Sequence, residues 1–174
     1  MKIHLLNLFV VCGLMLLLVL ACDDSPHPSD ASLEENFYKH EANFNVLAQM
    51  AIEDAGMIRI APGFTWHKES ADGKESKAKY GFSDARWNEY KQLFPKLGKN
   101  NGILNYQPDL ILVLASSRGM VTGGSLKGYA YSPKEPSPLV DSLENLDFRD
   151  SKKDINTVYK RLKGNWYLFY QASG

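Results

Sequence analysis

From Leu33 onward the chain alternates between two apolar rhythms. Phe37, Phe44, Leu47, Ala48, Ala51 and Ala55 recur at the spacing of one helix face. Ahead of them Ser32-Leu33-Glu34-Glu35 has the form of a capping box, in which serine and glutamate side chains satisfy the first free amides. Gly56 stands where a left-handed cap would stop the helix. This pattern predicts a core-facing helix over 32–56. A second helix is expected over 83–97. Ser83 is its N-cap, Asp84 complements its dipole, and Trp87, Tyr90, Leu93, Phe94 and Leu97 form one apolar face ended by Pro95 and Gly98. Trp87 and Tyr90 could stack a ligand, but packing against a sheet is the favoured reading.

The other rhythm is that of strands. Met57–Ala61 and Phe64–Lys68 flank the turn dipeptide Pro62-Gly63. The charged segment Glu69–Lys79 contains Asp72-Gly73, which suits either a hairpin turn or a solvated loop. Leu110–Ala115 is a continuous apolar run, as expected of a central strand buried on both faces. Ser117-Arg118-Gly119 can turn the chain into Leu126–Ser132, with Tyr129 and Tyr131 on one face, before Pro133, Pro136 and Pro138 close it. A polar excursion over Asp141–Asn156 leads to a hairpin, Thr157–Leu162 and Trp166–Ala172 around Lys163-Gly164-Asn165. Aromatics on both faces of its second arm place that arm inside a sheet, because an exposed aromatic edge invites aggregation. These elements predict a single α+β domain over 33–174, a largely antiparallel sheet of about five strands on two helices. Their order resembles cystatin-like and NTF2-like folds, which host many unrelated activities.

The N-terminus follows neither rhythm. Met1-Lys2-Ile3-His4 gives a positive start, and Leu8–Ala21 is apolar apart from Gly13. That length suits the h-region of a signal peptide and falls short of the ~20 residues of a comfortable membrane span. An uncleaved anchor is the alternative. The run ends in Val19-Leu20-Ala21-Cys22, which resembles the lipobox of bacterial lipoproteins. The resemblance implies a signal peptide over 1–21 and a mature chain that begins at Cys22, acylated on its thiol and its new amino group with chains such as palmitate. It also implies a domain held in the bacterial cell envelope, outside the cytoplasm. Asp23 resembles the signal for inner-membrane retention in enteric bacteria. Two or three acyl chains anchor stably, at about 0.8 kcal/mol per buried methylene. Asp23–Ser32, with two prolines, three serines and three aspartates, reads as a flexible tether able to reach about 33 Å.

Composition narrows the chemistry. Of 174 residues 44% are hydrophobic, as in a globular domain, and 20 basic residues balance 20 acidic ones, which argues against nucleic acid as a partner. The two cysteines are Cys12 and Cys22, so a domain starting at Cys22 has neither a disulfide nor a thiolate metal site. Gly119–Gly128 is glycine-rich but has Ser125 where a phosphate loop needs lysine, and it leads into a strand; turns or a bulge explain it better. His40 neighbours Glu41, but adjacent residues on a helix do not face each other. His67 and Glu69 would share a strand face as a base and its partner, and Ser116 lies where a nucleophile could be held at a strand end, without a nucleophile elbow around it. No cofactor or metal is implied.

Two readings follow. The first is a noncatalytic, lipid-anchored module that binds an envelope protein or glycan, for example of inhibitor or immunity type. The second is a small envelope hydrolase acting on cell-wall or lipid substrates through His67, Glu69 or Ser116. What separates them is whether a concave apolar pocket exists on the sheet and whether His67, Ser116 or Arg118 lines it: an open pocket favours ligand binding or catalysis, and a filled core favours surface recognition.

Overall fold

The first helix starts earlier than its capping box implies. In a computed structural model, which describes residues 27–70, 79, 81–98, 102–107, 109–119, 124–144, 146 and 155–173, helix α1 spans Asp30–Glu53. Its N-cap is Ser29, whose hydroxyl accepts from the Ser32 amide at 3.2 Å. Ser32 and Glu35 therefore lie within the helix, and Asp30 enters its first turn, where a negative charge suits the dipole. The far end is also revised: Asp54 caps the helix, and its amide donates to the Met50 carbonyl. Gly56 follows in the turn, where the space of a Cβ is taken by the His67 ring, 2.6 Å away at Nε2. Its glycine serves close approach and not a left-handed cap.

Strand β1 (Met57–Ile60) turns through Pro62-Gly63 into β2 (Thr65–His67). Helix α2 (Asp84–Leu93) has the expected Ser83 cap and continues as a 3-10 turn over Phe94–Leu97, where proline cannot donate to an α-helical ladder. Strands β3 (Ile103–Gln107), β4 (Leu110–Arg118), β5 (Gly124–Tyr131), β6 (Ile155–Lys163) and β7 (Trp166–Ser173) follow. The seven form one antiparallel sheet in the order β2-β1-β3-β4-β5-β7-β6. Among the described residues the architecture is thus α+β with two helices, but seven strands replace the expected five or so. The strand without a sequence signature is β3, whose Ile-Leu-Asn-Tyr-Gln carries too few apolar residues to show a period. Ser117 and Arg118 extend β4 and do not turn the chain, and Gly119 turns just after them with φ +71°. The Asp72-Gly73 segment lies outside the described residues.

β4 is central and is buried from Ile111 to Leu114, as its unbroken apolar run requires. Ile111 and Val113 join the larger core under α1, while Leu112 and Leu114 join Leu104, Ala130, Tyr159, Tyr167 and Phe169 on the opposite face. Under α1 the fit is aromatic: Phe37 and Phe44 meet Tyr129 and Trp166, the closest pair of ring centroids 4.5 Å apart. Tyr90 is fully buried beside Phe82 and Phe94, so it belongs to the core and not to a stacking platform. The aromatic arm β7 lies between β5 and β6, and the outer edge of β6 is met by Pro138–Val140. No helix among the described residues is long and apolar enough to cross a membrane.

Candidate functional site

A bulge decides which side chains meet at one end of the sheet. Leu114 pairs with Gly128, but Ser116 pairs with Lys127, so Ala115 is an extra residue in β4. In an unbroken strand Ser116 and Arg118 would share the outer face with Leu112 and Leu114. The bulge turns them onto the α1 face, opposite Lys127 and Ser125. Gly128 permits this: a Cβ there would lie 2.1 Å from the Val113 carbonyl oxygen and 2.8 Å from the Ala115 amide nitrogen. The glycine-rich stretch contributes this bulge, as its lead into a strand implies.

Onto this reshaped end folds His27, a residue of the expected tether. Its Nδ1 lies 2.5 Å from Ser116 Oγ and its Nε2 2.7 Å from Ser125 Oγ, with the ring edge-on to Tyr170. Burial, then the charges of Arg118 and Lys127, push His27 down to about 4. At neutral pH the ring is therefore uncharged: one nitrogen donates and the other accepts, and either serine can be the donor. Arg118 Nη2 is buried with no hydrogen-bond partner among the described residues.

Beneath lies an ion network. Lys127, 2% exposed, places Nζ 2.9 Å from Asp30 Oδ1 and 3.2 Å from Glu144 Oε1. Lys160 reaches Asp30 Oδ2 at 3.3 Å and Glu34 Oε1 at 2.7 Å. Burial raises the Asp30 carboxyl, but the Leu143 amide, which donates to it at 2.9 Å, and the Lys127 ammonium outweigh this and hold it below the usual range. Every ion of this network has a partner, so it fixes the start of α1 on the sheet and offers no free charge to a ligand.

The expected site residues separate. His67 ends β2, at one edge of the sheet, where Nδ1 accepts from the backbone amide of Glu69 at 3.1 Å. Glu69 lies beyond the strand with its side chain exposed, so the contact is backbone to ring and not the side-chain pair expected of a base and its partner. Three strand spacings, about 14 Å, separate β2 from β4 and hence His67 from Ser116. His40 sits at a kink in α1, with φ −123° and ψ 17°. Ser116 does meet a histidine, but it is His27. A Pro-His-Pro tripeptide in a polar stretch gives no signal for that contact, which spans 89 positions. Cys22 lies outside the described residues.

At the opposite end of α1 a cleft opens between the helix terminus and the sheet. It has a volume of about 480 Å³, well inside the 300–1,000 Å³ range of small-ligand sites. Ile52 and Ala55 line it from the end of α1, Ile58 from β1, Ile111 from β4, and Tyr131 and Pro133 from the end of β5 and just beyond it. Lys68, Asn105, Gln107 and Asp109 supply its polar groups. Neither His67, Ser116 nor Arg118 lines it. It exists because α1 stops at Glu53 while β3 and β4 continue, and Ile52 is left 47% exposed at its mouth. Compared with family models, curated proteins and solved structures, the chain finds no match.

Proposed function

We propose that this chain is a lipid-anchored protein of the bacterial envelope whose α+β domain is a noncatalytic binding module, with the apolar cleft at the end of α1 as its ligand site. The open cleft carries the reading: aliphatic lining left in contact with solvent, Ile52 at 47% exposure above all, costs free energy that a bound apolar group recovers, at about 25 cal/mol per Å². This narrows the expected partner from any envelope protein or glycan to a small molecule with an apolar body. The anchor fits the same picture. His27 is five residue steps beyond Cys22, which keeps that end of the domain within about 17 Å of the anchor. The cleft lies at the far end of α1, 24 helical residues or about 36 Å of contour from that point.

The test is a fluorescence titration with 1-N-phenylnaphthylamine, an apolar probe that brightens on leaving water. The domain should bind it saturably, and Ala55→Trp, which fills the cleft from an exposed position, should abolish binding while the far-UV circular dichroism stays unchanged. Equal binding by both proteins would place the probe elsewhere and overturn the assignment.

The hydrolase is the second reading, favoured by the hydrogen bond of Ser116 to His27. Two features count against it. A base held near 4 accepts a proton about a thousandfold less readily at pH 7 than one matched to that pH. Its second nitrogen meets Ser125, where a carboxylate would stabilise the imidazolium. Ser116→Ala should therefore leave turnover of an ester and amide panel at the background level of the parent protein. Loss of a measurable parent activity would restore the hydrolase.

A further inference from the structure

Resting on the cleft as ligand site, we infer that its ligand is an unbranched acyl chain with an anionic head, the head held by Lys68. The lining argues for the chain. Ile52, Ala55, Ile58 and Ile111 present aliphatic surface, and Tyr131 is the one aromatic ring among the described lining residues, which gives a planar ligand no pair of faces there to stack between. A sugar would need several free convergent polar groups, and of those lining the cleft Asn105 already donates its amide to the Ala51 carbonyl at 3.3 Å and Asp109 pairs with Lys134.

Charge at the rim selects the head. Among the described residues, Lys68 and Asp109 are the ionic ones that line the cleft. Asp109 is already neutralised by Lys134, 3.1 Å away. Lys68 makes no ion pair among the described residues, and its backbone amide is fixed to the Gly56 carbonyl at 3.0 Å, which holds the root of the side chain beside the cleft it lines. The cleft thus combines aliphatic lining with one positive charge that has no ion-pair partner among the described residues. A carboxylate or phosphate on an aliphatic chain satisfies both at once: its methylenes leave water while its head stays solvated beside the ammonium. A cationic amphiphile would be repelled by Lys68 and find Asp109 occupied.

Displacement of 1-N-phenylnaphthylamine by dodecanoate and by dodecanol, below their micellar concentrations, tests this. Dodecanoate should compete roughly threefold to tenfold better than dodecanol on the parent protein. Lys68→Met, which keeps the aliphatic stem, should remove that advantage and leave dodecanol unchanged. Across octanoate, decanoate and dodecanoate the affinity should rise by up to about fourfold per methylene until the cleft is full. Equal competition by acid and alcohol, or an advantage that survives Lys68→Met, overturns the head assignment and leaves the cleft as a ligand site. Failure of the parent protein to bind the naphthylamine or either chain overturns the cleft reading itself.

Discussion

His27 makes the N-terminal segment an acid-sensitive clasp, and the size of the effect follows from its displaced titration. In the unfolded chain the ring titrates near 6.5; folded, it is held down to about 4. Between these values the unfolded state binds a proton that the folded state refuses, so stability is full above about pH 6.5 and falls as pH drops toward 4. The whole displacement corresponds to about 3 kcal/mol at 1.36 kcal/mol per pH unit. Between pH 7 and pH 5 about half of it is lost, and the partial exposure of the ring brings the expected loss to about 1–2 kcal/mol. Urea unfolding at the two pH values, on the parent protein and on His27→Ala, isolates this contribution. Asp30 and the other carboxylates titrate in both proteins and cancel in the comparison. The parent midpoint should fall by roughly 0.5–1 M more than that of the variant over this interval. Parallel losses in the two proteins would refute the reasoning, because His27 would then titrate alike folded and unfolded.

Three further outcomes test the rest of this end of the molecule and its anchor. Gly128→Ala forces a Cβ against the Val113 carbonyl, and the bulge has no room to yield; a loss of about 3 kcal/mol, read as a fall of roughly 6–12 °C in Tm, is expected. Lys127→Met leaves Asp30 buried with Lys160 as its remaining cation and should cost about 3 kcal/mol or more in urea unfolding, whereas Lys134→Met, on an exposed pair, should cost under about 1 kcal/mol. Cys22→Ser should abolish incorporation of labelled palmitate and leave the precursor uncleaved on a gel, while the circular dichroism of the domain is unchanged. Palmitate labelling that persists in that variant would disprove the lipobox.

What the sequence determined by itself is what neighbours along the chain can enforce. Helical spacing from Phe37 to Ala51, the Ser83 cap, the unbroken run of β4 and the aromatic β7 arm each carry their signal within a dozen residues, and each element forms as its pattern implies. The α+β class and the antiparallel sheet follow from them. What only tertiary structure decided involves contacts between distant segments. β3 has too few apolar residues to announce itself and is a strand because β1 and β4 flank it. The helix starts at Asp30 and not at Ser32 because Lys127 and Lys160, about a hundred positions away, offer Asp30 its charge partners, which outweighs a local capping box. Ser116 faces α1 because Gly128 lets one residue bulge, and it meets His27 because that histidine folds back from a segment whose composition alone reads as loose. The cleft arises from a difference in length between a helix and the strands beneath it. No local pattern encodes that difference, because it is set only when the two are packed together.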